Sequence, residues 1–576
     1  MRRSSLNFIV AVSSVLLIAA CSGGDDDKQA ATAGPTPVPA AGTPSDAFPL
    51  LTCNSAAKPA ATETRRLTKT EYSNTLRDLL GASTHDALAP MLAQLPDDDI
   101  SGGLNRFANR YTADHARVFT DIAFDAASRA TETDAQLDTL LTAHSTCTTA
   151  NITAACARTF IRNFGLRAWR RPLTNDEATW VEAAYNTGID ARDSFAIAIA
   201  TLISAPDLAY HWEFGTPGGA DNEYEITQYE VASRLSFALW SAPPSADLLQ
   251  KASRNELSDP AALQSTVAQM MNDPRARAKV HEFFEFWLKI KNAPGVPDNP
   301  NIVAGLLTDG LRDEGKRELL QFVDSIVAGG GGYRDLLTSQ VSYARTPALA
   351  QIYGHTLASN PDAGTQRMAS GRMGLLSRLP WLSTSDNSAK TIVRGARMLE
   401  HVLCTPPGIP DAAAFAATTD IQTASLTSPA RDRVHARTGQ APCSSCHQKI
   451  NPLGFVMENF GPFGEYRTTE RVWGSTHDLL ATHAINASVS NLQIDRATGE
   501  NAANAAEFMQ LVAGSHKGPL CMAQQLHRFY QMRMESFDND ACSLLDTKSA
   551  LTENSIRQGI VKSVAGRALK LKVVAP

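Results

Sequence analysis

The chain has 576 residues, a formal net charge of −6 and a hydrophobic content of 43%. It shows no basic patch of the kind that marks nucleic-acid-binding proteins, so nucleic acid is excluded as an expected partner. A chain of this length exceeds what one hydrophobic core usually holds, and several domains are expected.

The first segment has the composition of an export signal. Arg2 and Arg3 precede a mostly apolar run, residues 7–20, that is short for a membrane span. The sequence IAAC ending at Cys21 resembles a bacterial lipobox, which implies a signal peptide of residues 1–21 and lipidation of Cys21. A short membrane anchor is the alternative.

Residues 22–55 hold three consecutive aspartates followed by Ala, Pro, Thr and Gly, and they have few large apolar side chains. Such a composition cannot form a core, so we expect a flexible tether. Together with Cys21, it predicts an exported lipoprotein that is anchored by lipid to the outer membrane and faces the periplasm or the cell surface.

The use of cysteine fits an oxidising compartment. Besides Cys21 and two motif cysteines, six remain and could form three disulfides: Cys53, Cys147, Cys156, Cys404, Cys521 and Cys542. The pairs closest in sequence are Cys147 with Cys156 and Cys521 with Cys542, which leaves Cys53 with Cys404. The sequence allows many other pairings.

Three segments carry one helix-start pattern, in which an apolar residue precedes Thr-x-x-Glu. The pattern predicts capping boxes at Thr68/Glu71, Thr174/Glu177 and Thr227/Glu230. Arginines precede the first two helices, where the helix dipole does not favour them: Arg65, Arg66, Arg170 and Arg171. Pairing with carboxylates is the preferred interpretation, and anion binding is the alternative.

Apolar residues recur at helical spacing along most of the chain, and alternating β patterns are scarce. In HEFFEFWLKI, residues 281–290, the spacing indicates a core face and not a cofactor-binding surface. Pro and Gly clusters interrupt these segments. The sequence therefore predicts a mainly α protein made of several small helical modules in series.

CSSCH, residues 443–447, is the c-type haem attachment pattern. Two cysteines one helical turn apart lie on one side of the chain and could bond to one porphyrin. His447, the next residue, would then ligate the iron. The alternatives are a redox dithiol or disulfide at Cys443 and Cys446, or a zinc site completed by Cys404 or His401.

The segment after the motif predicts turns close to a flat ligand, at Pro452, Gly454, Gly461 and Gly464. Three aromatic residues could line the porphyrin: Phe455, Phe460 and Phe463. The ring N–H of His447 is expected to donate to a backbone carbonyl, with Pro452 or Leu453 as candidates.

The sequence does not identify the second axial ligand of the iron. Methionine is common in electron carriers, and the main candidates are Met457, Met532 and Met534. Further candidates are Met509, Met522, His477, His483, His516 and His527. Any one of these methionines could instead be an ordinary core residue.

Taken along its length, the chain resembles the planctomycete-type cytochrome C multidomain family. The resemblance rests on five groups of segments in the family's order, among them RRLTKTEYSNTLRDLLG, FGLRAWRRPLTNDE, MMNDPRARAKVHEFFEFWL, CSSCHQKINPLGFVMENFGPFGEYR and CMAQQLHRFYQMRMESFDNDACSL. It implies helical modules at 64–130, 150–215 and 222–355, a cytochrome c-like haem module at 367–470 and a C-terminal helical module at 495–572. The chain departs from the family at Met532-Arg533, where Gly-Arg is common.

The resemblance implies one covalent haem c held by Cys443, Cys446 and His447. The leading hypothesis is a lipid-anchored c-type cytochrome that passes one electron between redox partners, whose identity the sequence does not give. The alternatives are a haem-dependent oxidase or peroxidase and a binding or scaffold protein with a structural haem. No hydrolase or P-loop motif is present, and catalytic residues are unknown.

Overall fold

The structure is a computed structural model that describes residues 51–59, 64–98, 111–218, 222–290, 310–383, 390–408, 425–474, 478–495, 499–566 and 569–573. The predicted signal peptide, Cys21 and most of the predicted tether lie outside these ranges. Within them, no helix combines the length and the apolar character needed to cross a bilayer.

The chain divides into two compact units, each assembled from segments that are distant in sequence. The N-terminal unit contains the described residues of 51–290 together with 323–333 and 522–573. The motif unit, named for the CSSCH sequence it carries, contains the described residues of 310–322 and 334–521.

The first half of the chain is built from helices. They are α1 (Lys69–Ala87), α2 (Ala89–Leu92), α3 (Ala113–Ala130), α4 (Asp134–His144), α5 (Ala154–Trp169), α6 (Asn175–Tyr185), α7 (Ala191–Ser204), α8 (Pro206–Ala209), α9 (Gln228–Trp240), α10 (Ala246–Ser253), α11 (Pro260–Met270) and α12 (Pro274–Leu288). Two short strands, β1 (Thr216–Pro217) and β2 (Glu223–Glu225), lie before α9.

Further α-helices follow, the last of which carries the CSSCH motif. They are α13 (Leu311–Ala328), α14 (Tyr333–Thr338), α15 (Pro347–Ile352), α16 (Leu379–Leu382), α17 (Thr391–Arg397), α18 (Ala430–Thr438) and α19 (Ser444–Phe455). Two strands, β3 (Val341–Ser342) and β4 (Gln366–Arg367), lie before the motif, and two more, β5 (Thr469–Trp473) and β6 (Leu479–Ala484), lie after it.

The chain ends with α20 (Ala505–Gly514), α21 (Lys517–Gln531), α22 (Phe537–Ser549), α23 (Ile556–Val564) and β7 (Leu571–Val573). The described strands pair antiparallel in small sheets: β1–β2–β7, with Tyr224 opposite Lys572, then β3–β4 and β5–β6. The mainly α fold predicted from the sequence is confirmed.

All three predicted capping boxes are present. At the start of α1, Thr68 Oγ1 accepts the Glu71 N–H at 3.1 Å, and the Glu71 carboxylate accepts the Thr68 N–H at 2.9 Å. The starts of α6 and α9 repeat both hydrogen bonds. These helices therefore begin where the local sequence satisfies the free N–H groups of the first turn.

The arginines before α1 and α6 are structural, and three of the four pair with carboxylates, as the preferred interpretation expected. Within the N-terminal unit, Arg65 pairs with Glu71, Arg66 with Asp98, and Arg171 with Glu177 and Asp207, while Arg170 donates to four backbone carbonyls. These ion pairs and hydrogen bonds therefore hold the starts of α1 and α6 against neighbouring segments.

The core of the N-terminal unit joins side chains of α1 and α3–α7, including the fully buried Leu76, Ile122 and Phe160. The aromatic stretch in α12 is also a core face, because Phe283 and Trp287 are buried with ring centroids 5.8 Å apart. The sequence prediction for this stretch is confirmed.

Three disulfides join the six cysteines outside the motif that the structure describes. Cys147 is bonded to Cys156, the pair closest in sequence. The other two suggested pairings are wrong: the bonds are Cys53–Cys542 and Cys404–Cys521. Each of these bonds lies inside one unit and joins residues whose proximity arises only from tertiary folding.

Candidate haem-attachment site

The CSSCH motif occupies the first turn of α19. The carbonyl oxygen of Cys443 accepts the backbone N–H of Cys446 at 3.3 Å and that of His447 at 3.1 Å. This helical turn places Cys443 and Cys446 on one side of the chain, with His447 directly after them. The three side chains therefore have the local arrangement that the attachment pattern requires.

Both motif cysteines are free thiols, and both are partly exposed. The Cys446 thiol donates to the carbonyl oxygen of Pro407 at a Sγ–O distance of 3.2 Å. Among the described residues, the other six cysteines are all in disulfides. The described chain thus keeps free thiols only at the motif.

The side chain of His447 is held by an amide within its own helix. Nδ1 lies 3.0 Å from Asn451 Oδ1, and Nε2 makes no hydrogen bond to any residue the structure describes. The expectation of a backbone acceptor at Pro452 or Leu453 is wrong, since the partner of the ring is the side-chain oxygen of Asn451. The i, i+4 spacing of His447 and Asn451 was the signal that could have identified this partner.

Pro452 and Gly454 do not form the expected turns, because both lie inside α19. Gly454 packs against α17, where any side chain would collide with the carbonyl oxygen of Thr391. Of the four expected turn residues, Gly464 has a left-handed backbone, with φ of 76°. Tertiary packing has extended the helix through residues that usually end one.

The three aromatic residues after the motif, Phe455, Phe460 and Phe463, are buried. Arg394 of α17 fixes the segment that carries them, since its guanidinium donates to the carbonyl oxygens of Phe460 and Gly461. Burial lowers the pKa of Arg394 to about 9. The aromatic segment is therefore clamped to α17 by a buried cation.

Three further ionisable groups lie close to α19: Arg431, His435 and Glu458. Arg431 of α18 stacks on the ring of Phe455 at 4.7 Å, beside the His435 ring at 4.9 Å. Burial lowers the pKa of His435 and raises that of Glu458, which accepts a hydrogen bond from Thr391. Removal from water thus favours the neutral forms of His435 and Glu458.

The candidates for the second axial ligand are divided between the two units. Met457 belongs to the motif unit and is fully buried. Met532 and Met534 belong to the N-terminal unit, and Met534 is 40% exposed. The identity of this ligand stays a prediction.

The remaining candidates have varied environments. Met509 and Met522 are fully buried. His483 Nε2 hydrogen-bonds the carbonyl of Thr427, and His527 is buried 3.7 Å from Asp540. The backbone N–H of His516 donates to the Asp495 carboxylate, whereas His477 lies outside the described residues.

The alternatives for the motif fit the structure less well. Cys404 is bonded to Cys521 and cannot serve as a zinc thiolate. Within the described ranges, no three His, Cys, Asp or Glu side chains cluster as a metal site. A thioredoxin-like dithiol follows a strand in a βαβ unit, whereas α18 is the element before this motif.

Four family models match the chain, each described as a protein of unknown function. They are PSD3 (DUF1587) at residues 65–132, PSD5 (DUF1595) at 156–213, PSD4 (DUF1592) at 226–355 and PSCyt3 (DUF1588) at 372–470. Their order and combined extent, more than half of the chain, decide the assignment. The chain belongs to the planctomycete cytochrome C multidomain family.

This member of the family carries its CSSCH motif inside the PSCyt3 match, so the motif lies in a cytochrome-like domain. The residues present fit a c-type haem. Cys443 and Cys446 offer two free thiols one turn apart, and His447 offers a ring nitrogen, Nε2, that has no partner among the described residues. Comparison with curated proteins and with solved structures gives no significant match.

Proposed function

We propose that this protein is an exported c-type cytochrome that holds one covalent haem on α19 and transfers one electron between redox partners. The observation that carries the proposal is the state of the cysteines. Every other cysteine in the described chain is in a disulfide, yet Cys443 and Cys446 remain free thiols in a cytochrome-like domain.

Bound haem would supply a reversible one-electron iron couple. Cys443 and Cys446 would hold it through thioether bonds, and His447 Nε2 would be its proximal ligand. The buried Phe455, Phe460 and Phe463 support an apolar surrounding, and exclusion of water there would tune the reduction potential.

The compartment and the membrane anchor are also proposals. Three disulfides support an oxidising location, such as the periplasm or the cell surface. The lipobox-like sequence at Cys21 supports attachment to the outer membrane by lipid. Redox partners in that compartment are expected to be proteins, with no nucleic acid involved.

The first experiment is expression in a host with c-type haem maturation, followed by mass measurement of the denatured chain. The wild type should retain the mass of one haem, and Cys443→Ala/Cys446→Ala should retain none. Ser444→Ala is the matched control, because it alters the same helical turn without removing a thiol. A wild-type chain without covalent haem would contradict the proposal.

The second experiment separates electron transfer from catalysis. An electron carrier should give a low-spin spectrum, with a Met–iron charge-transfer band if methionine is the second ligand. Met457→Leu, Met532→Leu and Met534→Leu, measured in parallel, should identify that residue through loss of the band. A high-spin spectrum that shifts on adding peroxide would favour the oxidase or peroxidase hypothesis instead.

A third experiment tests the anchor. Metabolic labelling with a fatty acid should mark the wild-type chain and leave Cys21→Ser unlabelled. Label that persists in Cys21→Ser, or wild type without label, would contradict lipidation at this residue.

A further inference from the structure

A chain of hydrogen bonds runs from His447 into the interior of the motif unit. His447 Nδ1 lies 3.0 Å from Asn451 Oδ1, and Asn451 Nδ2 lies 2.8 Å from Thr438 Oγ1. Thr438 Oγ1 in turn lies 2.7 Å from the carbonyl oxygen of Val434. Asn451 is 4% exposed and Thr438 is 1% exposed, so bulk water does not compete for the inner part of this chain, whereas His447 is partly exposed.

The direction of every bond in this chain follows from its inner end. A carbonyl oxygen only accepts, so the single hydroxyl proton of Thr438 must point at Val434. Thr438 Oγ1 can then only accept from Asn451. The donor that faces it must be the amide nitrogen, and Asn451 Oδ1 must face His447.

The direction of these hydrogen bonds settles two assignments that are usually ambiguous. It fixes which end of the Asn451 amide faces His447, and it fixes which ring nitrogen of His447 carries the proton. If Asn451 were flipped, its oxygen would face a lone pair of Thr438 and its NH₂ group would face Nδ1. With Oδ1 facing the ring, the pair makes a hydrogen bond only if Nδ1 carries a proton. In the neutral ring the lone pair then resides on Nε2, the nitrogen without a partner among the described residues.

We infer that Asn451 and Thr438 are positioning residues that hold His447 in the tautomer with its proton on Nδ1 and its lone pair on Nε2. The relevance to iron ligation rests on the proposed function, because Nε2 is the nitrogen that would bind haem iron. The tautomer itself rests on the three hydrogen bonds alone and exists before any haem is attached.

The type of group that accepts the hydrogen bond from His447 Nδ1–H would affect how strongly Nε2 donates to a bound iron. Metal-ligating histidines usually donate their second N–H to a carboxylate, a backbone carbonyl or water, and this bond raises the basicity of the ligand. Here the acceptor is a neutral side-chain amide, which single substitutions can strengthen or remove. A structural role in packing would not give opposite effects for these two changes.

The experiment is ¹⁵N NMR of the full-length, haem-free chain with labelled histidine, with the His447 signals assigned by their loss in His447→Gln. Wild type should show a protonated Nδ1 and an unprotonated Nε2. Asn451→Leu and Thr438→Val should shift the population towards protonated Nε2. Thr438→Ser, which keeps the hydroxyl, should leave the wild-type pattern, and circular dichroism checks that each variant is folded.

A wild-type His447 with its neutral-state proton on Nε2 would overturn the inference, as would an unchanged tautomer in folded Asn451→Leu. If Asn451→Leu does not fold, Thr438→Val decides in the same way. Because no haem is needed, this result is independent of the attachment experiment, whose failure would overturn the proposed function alone.

The haem-loaded protein offers a second readout. Asn451→Asp places a carboxylate against Nδ1–H and should lower the reduction potential, whereas Asn451→Leu removes the acceptor and should raise it. Shifts of the same sign in both variants, or none in either, would contradict a positioning role in ligation.

Discussion

Gly395 and Gly454 face each other where α17 crosses α19. A β-carbon built on Gly395 would lie 2.9 Å from the backbone nitrogen of Gly454. It would also collide with the carbonyl oxygen of Ile450. Because the obstructing atoms are backbone, a side chain cannot be accommodated by a change of rotamer. The helix that carries CSSCH is therefore positioned by direct backbone contact with α17.

We predict that Gly454→Ala or Gly395→Ala destabilises the motif unit by about 1–3 kcal/mol, the usual cost of overpacking. The measurement is hydrogen exchange of peptides from α17 and α19, which reports local stability. Gly514→Ala is the control, since no heavy atom lies within 4 Å of a β-carbon at that position. Unchanged exchange in Gly454→Ala would show that the two helices are not in close contact.

The features that the sequence predicted correctly are local. Thr68 and Glu71 are three residues apart, so the hydrogen bonds that start α1 depend on a short segment alone. The core face of α12 follows in the same way from helical spacing, as does the helical turn at CSSCH. Such features need no knowledge of the remaining chain.

The features that the sequence missed depend on tertiary contacts. Cys53 and Cys542 are 489 positions apart, and only the assembly of the N-terminal unit brings them together. Gly454 was expected in a turn, but its lack of a side chain serves the crossing with α17. Asn451 was overlooked because a backbone acceptor was expected, although its i, i+4 spacing from His447 was visible.

A second prediction concerns a fully buried ion pair in the motif unit. Glu318 pairs with Arg378, and neither side chain is exposed. The carboxylate also accepts the N–H of Tyr343 at 3.0 Å and the hydroxyl of Tyr353 at 3.1 Å. Removal of Glu318 would leave a buried guanidinium without its counter-charge.

Glu318→Ala should therefore lower the stability of the motif unit by about 3–5 kcal/mol. The matched control is Asp362→Ala, which breaks an exposed pair with Arg345 in the same unit and should cost less than about 1 kcal/mol. Thermal unfolding midpoints of the two variants give the comparison. Equal small shifts would indicate that water reaches Arg378 and replaces the carboxylate.

A third prediction concerns disulfide connectivity. Non-reducing peptide mapping should recover Cys404 linked to Cys521 and Cys53 linked to Cys542, with Cys443 and Cys446 alkylated as thiols in haem-free chain. Cys404→Ser/Cys521→Ser opens a loop of 117 residues and should cost about 2–5 kcal/mol in the motif unit. Recovery of Cys521 linked to Cys542 would refute the connectivity.

The last prediction concerns the response of the N-terminal unit to acid. His211 Nε2 lies 3.3 Å from Glu71 Oε2, and both side chains are buried. Burial and the charge of Arg65 lower the pKa of His211 from 6.5 to about 4, although Glu71 acts in the opposite direction. Burial alone would raise the pKa of Glu71, but Arg65 and His211 hold it well below 4.5.

Between pH 6.5 and about 4, the unfolded chain protonates this histidine while the folded chain does not. The stability that neutral His211 contributes is therefore complete above pH 6.5 and is lost as the pH falls through this window. The lowered pKa of Glu71 adds a further loss below pH 4.5.

His211→Gln should show a weaker fall in unfolding midpoint than wild type between pH 6.5 and 4. Phe237→Leu, which keeps His211 but removes part of the ring that buries it, should also weaken this fall, because burial is the main cause of the lowered pKa of His211. If His211→Gln and wild type lose stability in parallel, His211 is protonated in the folded chain and its pKa is not lowered.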